Sequence, residues 1–184
     1  TAAVGSLKEE ICPGDFILPH QFIDFTRARP ATFFDGEDGR VVHVDMTEPY
    51  CPELRRLLAS ACRDLGFRYH EGGVYVCTEG PRFETPAEIA MFSLLGATIV
   101  GMTGVPEVVL ARELGMCYAT FACATNYAAG LAGKALTHEE VIQVMRESSE
   151  RLRLVMQAVL KAVIGDRCPH CQPEPENEAS ERND

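Results

Sequence analysis

The sequence predicts an α/β protein of three layers, a mostly parallel mixed sheet flanked by helices. Three observations carry this. Short β-prone runs alternate with helical periodicity in the order βαβαβα. The runs at residues 98–102 and 116–124 are almost unbroken apolar, as strands buried on both faces are. Two capping boxes, Thr85-Pro86-Ala87-Glu88 and Thr137-His138-Glu139-Glu140, mark where helices begin.

In chain order, residues 15–18 read as a short strand after the Pro13-Gly14 turn, and residues 41–44 as another. A helix runs from Pro52 to Leu65, closed by Gly66, with Leu54, Leu57, Leu58, Ala61 and Leu65 on one face. Val74-Tyr75-Val76-Cys77 is β-prone, and the helix capped by Thr85 follows with Pro86 at its first position. Residues 98–102 are then a buried strand, 106–114 a helix ended by Gly115, and 116–124 a strand. The last helix carries Val141, Met145, Leu152, Val155, Val159 and Val163 at helical spacing and ends near Ile164. No internal repeat is present.

At 184 residues the chain is of single-domain size. Residues 1–165 form the domain. Residues 166–184 hold six acidic residues, two arginines and three prolines with few apolar residues, and are expected to be a disordered acidic tail. The chain opens on Thr1, which reads as a fragment or a processed piece. A formal net charge of −10 argues against a nucleic-acid partner, since phosphate binding wants a basic face. The uncharged runs at 89–106 and 114–133 are interrupted by Gly, Pro, Thr or Asn and read as buried strands joined to parts of helices, so no membrane partner is expected.

Six of the eight cysteines (Cys12, Cys51, Cys62, Cys77, Cys117 and Cys123) are scattered through apolar or turn segments. There a thiol behaves as a small hydrophobe, which implies a reducing, cytoplasmic setting. Cys168-Pro-His-Cys171 has metal-ligand spacing, but a structural zinc site takes four ligands and the sequence shows no second pair. No metal is expected.

Ligands of such sheets bind beyond the strand carboxyl ends, which here present Phe83-Glu84, Met102-Thr103 and Thr125-Asn126. This polar set with apolar companions, lacking a cysteine or a histidine pair, suits a flat heterocycle joined to a sugar better than a metal or a covalent nucleophile.

Four blocks in this order, "AVGSL" at 3–7, "GPRFET" at 80–85, "GMTGVPEVVLARELG" at 101–115 and "TNYAAG" at 125–130, resemble the trimeric purine nucleoside phosphorylase and methylthioadenosine phosphorylase family. The likeness runs from Thr1 to about Ile164. It implies phosphorolysis of a purine nucleoside by orthophosphate, a co-substrate and not a cofactor, in a homotrimer serving purine salvage. Matched residue by residue, Phe83 would stack on the purine, Met102 would line the ribose, and Thr103, at a helix N-terminus, would donate to phosphate. Ala3 would act through its backbone beside phosphate and ribose. His43, in "HVDMTEPY", would reach a neighbouring subunit's site, or else is an exposed strand histidine. The family's Gly-rich phosphate loop and Arg-His phosphate ligands would precede Thr1, so the N-terminal portion of the fold is expected to be missing and phosphate binding weak.

The resemblance further assigns Glu84 and Asn126 to the 6-oxopurine branch. Inosine and guanosine present N1–H as a donor, which a carboxylate accepts, whereas N1 of adenine is an acceptor and would oppose Glu84 lone pair to lone pair. Asn126 can donate to O6 and accept from N7 when N7 gains a proton. His138 matches the family's contact to the ribose 5′-hydroxyl, or else is an idle first-turn residue. The alternatives are phosphorolysis of S-methyl-5′-thioinosine or S-methyl-5′-thioadenosine and, in another class, a purine-binding remnant without catalysis.

Overall fold

A computed structural model of the chain describes residues 1–37, 39–133, 136–163 and 168–171. Seven strands form one sheet: β1 (Ala2–Ser6), β2 (Phe16–Leu18), β3 (Gln21–Phe25), β4 (Tyr69–Glu71), β5 (Val74–Thr78), β6 (Ile99–Gly101) and β7 (Ala122–Tyr127). Four helices join it: α1 (Pro52–Asp64), α2 (Pro86–Leu94), α3 (Gly104–Glu113) and α4 (His138–Ala162). The strand order is β3-β5-β6-β1-β7-β2-β4. Neighbours run parallel except β1 with β6 and β2 with β7, which run antiparallel, so the sheet is mixed and mostly parallel as the sequence predicts.

Strand side chains alternate between two covered faces. On one face Ile17, Tyr75, Cys77, Ile99, Ala122 and Ala124 pack with Val105 and Val108 of α3. On the other, Phe16, Leu18 and Cys123 meet α1 and α4, while Val76 and Val100 meet Ile89 and Phe92 of α2. The result is three layers: helix, sheet, helices.

Local signals place the helices. Pro86 follows the Thr85 cap, whose hydroxyl accepts from the Glu88 amide while the Glu88 carboxylate accepts from the Thr85 amide, a complete capping box. Thr137 caps α4 through the Glu140 amide. α1 buries Leu58, Ala59, Ala61 and Cys62; Leu65, expected on that face, is the C-cap and is exposed.

The structure corrects several boundaries. Residues 41–44 form no strand; Val41 makes one isolated bridge with Asp35, and Val41 and Val42 are exposed. The run at 116–124 becomes strand only at Ala122. β1, β3 and β4 have no counterpart in the sequence reading. Within the stretch expected to be a disordered tail, Pro169–Cys171 is a 3-10 turn with Cys171 buried; residues 166–167 and 172–184 lie outside the described residues. Among the described residues no helix is long and apolar enough to cross a membrane.

Candidate active site

The site grows from an irregularity between β1 and β7. Val4 pairs with Ala124 and Gly5 with Asn126, so Thr125 is an extra residue in a bulge. Bulges re-aim side chains, and here the Thr125 hydroxyl donates to Asn126 Oδ1 at 2.8 Å and lies 3.3 Å from the Val4 carbonyl. Asn126 Nδ2 donates to the Tyr127 carbonyl at 2.9 Å. The Asn126 amide is thus held at both ends and keeps one N–H and one lone pair for a ligand. Gly5 makes the room, because a Cβ there would sit 3.2 Å from Asn126 Nδ2 and 3.3 Å from Val100 Cγ1.

Across a cavity of about 240 Å³, Ala3, Val4 and Gly5 of β1 face Phe83 and Glu84 of the β5–α2 turn and Met102 and Thr103 beyond β6. Glu84 Oε1 accepts from the Thr78 hydroxyl at 2.7 Å, which leaves its second oxygen to meet a donor. Gly80 lets the turn close on Met102: its φ is +69°, and a Cβ there would lie 2.6 Å from Met102 Sδ. The β1–β6 ladder spans only Gly5 and Ser6, so no strand covers the backbone of Ala3 on that side.

Thr103 departs from its expected setting. Val105 is extended (φ −117°, ψ 132°), so continuous helix starts at Pro106, the start the sequence predicts, and Thr103 sits in a separate turn before it. The amides of Thr103 and Gly104 both donate to the Tyr75 hydroxyl at 3.3 Å. With these two amides engaged, what Thr103 itself can offer an anion is its hydroxyl. Tyr75 is wholly buried, its hydroxyl held up in pKa by desolvation, and it is wedged there by glycines. A Cβ on Gly104 would lie 2.5 Å from Tyr75 Cε1, and one on Gly101 2.6 Å from its hydroxyl.

Behind the cavity Arg29 ties the loops together. Its guanidinium donates to the carbonyls of Met102 at 2.8 Å, Glu79 at 3.0 Å and Thr78 at 3.2 Å, and also to that of Val105. It is 3.5 Å from the Glu79 carboxylate as well. Arg29 and Tyr75 were missed in the sequence: Arg29 lies in a polar stretch without periodicity, and Tyr75 shows there only as a β-prone residue.

Six of the eight expected residues, Ala3, Phe83, Glu84, Met102, Thr103 and Asn126, therefore line one cavity. Two do not. His43 is exposed in an irregular segment. His138 is exposed at the first position of α4, while Leu136 and Val141 on either side of it line the wall. The expectation of no second pair for Cys168 and Cys171 is overturned: Cys51 and Cys117 supply one, with all four Sγ atoms within 4.8 Å of one another.

Residues 1–161 match the phosphorylase superfamily. The 6-oxopurine nucleoside phosphorylase of Pyrococcus furiosus is 53% identical over 177 residues, covering 94% of this chain and 67% of that protein. A probable S-methyl-5′-thioinosine phosphorylase of Methanothermobacter thermautotrophicus is 52% identical over 172 residues, covering 94% of this chain and 59% of that one. The crystal structure of methylthioadenosine phosphorylase from Schistosoma mansoni in complex with adenine superposes with a TM-score of 0.82 at 32% identity, over 88% of this chain and 63% of the other. The chain spans about two thirds of the length of the relatives it matches. With the family match, the sequence identities and the fold in accord, the chain belongs to the phosphorylase superfamily.

Proposed function

We propose that this protein cleaves 6-oxopurine nucleosides, inosine and guanosine, with orthophosphate as co-substrate, giving free base and ribose 1-phosphate. The observation that carries the reading is the single cavity in which Glu84 and Asn126 stand with Phe83, Met102, Thr103 and Ala3. Glu84, steadied by Thr78, accepts N1–H of the base. Asn126, held by Thr125 and Tyr127, donates to O6 and accepts from N7 as that atom gains a proton, so the charge growing on the leaving purine meets a prepared partner. Phe83 stacks on the base and Met102 lines the ribose. The Thr103 hydroxyl and the uncovered backbone of Ala3 bound the phosphate side. No covalent intermediate is required.

The assay is phosphorolysis of inosine, guanosine and adenosine by wild type and Glu84→Gln. Losing the charge-assisted bond should cost about 1.5–3 kcal/mol, roughly one to two powers of ten in kcat/KM for inosine. Adenosine should be poor in wild type. Equal cleavage of adenosine and inosine, or no effect of Glu84→Gln, would remove the base-recognition role, and hypoxanthine binding without turnover would favour a purine-binding remnant.

A second reading, phosphorolysis of S-methyl-5′-thioinosine, is favoured by the apolar Leu136 and Val141 on the wall with His138 outside it. A preference for the methylthio substrate that His138→Ala leaves unchanged would select it. A homotrimer, with His43 entering a neighbour's site, and a cytoplasmic setting complete the proposal; the unpaired thiols of Cys12, Cys62, Cys77 and Cys123 support the latter.

A further inference from the structure

Cys51, Cys117, Cys168 and Cys171 come from three stretches of chain. Cys51 is the N-cap of α1, Cys117 lies in the link from α3 to β7, and the last pair brackets the turn at Pro169–Cys171. Their Sγ atoms all fall within 4.8 Å of one another, with Cys168 at 3.5 Å from Cys51 and 3.6 Å from Cys117. Four thiolates around zinc at about 2.3 Å stand about 3.8 Å apart along each tetrahedral edge. A disulfide would need about 2.05 Å. The cluster has the spacing of the first arrangement.

The surroundings suit thiolates. The Cys168 amide donates to Cys117 Sγ and the Leu54 amide to Cys51 Sγ, each at 3.4 Å. Cys51 also sits at the positive end of α1. A tetrathiolate zinc carries a net charge of −2, and the Arg112 guanidinium stands at the turn, donating to the His170 carbonyl at 3.3 Å. A tetrahedral all-sulfur donor set selects zinc or iron–sulfur chemistry over calcium, magnesium or manganese.

We propose that Cys51, Cys117, Cys168 and Cys171 bind one zinc ion as a structural site, releasing their thiol protons to solvent. With every position filled by protein, the metal has no place for substrate. None of the four lines the cavity, so the ion's role is to fasten the 168–171 turn to α1 and to the α3–β7 link.

The test is metal analysis of the purified protein after dialysis against metal-free buffer. About one zinc per chain is expected, and cobalt(II) exchanged into the site should give the visible bands of a tetrahedral thiolate. Cys168→Ser with Cys171→Ser should lower bound zinc roughly tenfold or more and the Tm by about 5 °C or more. Wild-type metal content carries the test should that variant fail to fold. One iron in place of zinc, two disulfides, or four free thiols without metal would each overturn the assignment.

Discussion

Arg29 shows how a residue that touches no ligand can set a site. Four carbonyls at the ends of β5 and β6 and at the approach to α3 converge on one guanidinium whose side chain is 19% exposed. Thr78, which steadies Glu84, and Met102, which lines the cavity, are thereby fixed relative to each other. Arg29→Ala leaves these carbonyls to find other donors and should lower stability by about 2–3 kcal/mol in urea unfolding. It should also raise KM for the nucleoside more than it lowers kcat. Arg29→Lys should recover only part, because a single ammonium does not reproduce a planar fork. Unchanged stability and kinetics would show that the loops hold their places unaided. At this scale Glu84 and Asn126 were legible because each stands beside a turn in a specific block of sequence. Arg29 was not, because its partners are backbone carbonyls about fifty and seventy-five positions away.

At the scale of elements, α2 is the clearest case of sequence fixing structure, and it also fixes a pH response. The Arg82 guanidinium, first, and the Thr85 amide hold the Glu88 carboxyl down to about 2, against an ordinary value near 4.5. Its folded pKa is depressed, so the stability it contributes is present above pH 4.5 and is lost as pH falls toward 2. Glu88→Gln should flatten the acid limb of a stability-versus-pH curve in that window, a modest effect because the pair is solvated. A curve of unchanged shape would show that the capping box does not couple to protonation. Elsewhere the sequence pattern failed where partners, not propensity, decide. Residues 41–44 have strand composition but one bridge to pair with, and β4 is three residues long and gains its place from β2. The apolar run before β7 is taken up by Cys117 in the thiol cluster and by Tyr118 stacked on Tyr50.

For the whole molecule, the described residues of the segment 26–49 stand out, with little regular structure among them and with Phe33, Val41, Val42 and His43 exposed. The proposed trimer would cover such a surface, and sedimentation should find three copies per particle. A stable, fully active monomer would sink that idea. The three layers were legible because both faces of the sheet are apolar, whereas the position of β1 was not, since its small residues carry no strand signature. Yet β1 is the seam of the sheet, joining the β3-β5-β6 half to the β7-β2-β4 half and walling the cavity with Ala3 to Gly5. A ribosome releases residues 2–6 well before their partners at 99–100 and 122–127 exist outside the tunnel. The two halves can therefore begin to collapse on their own, but the pocket is complete only when β1 settles between them.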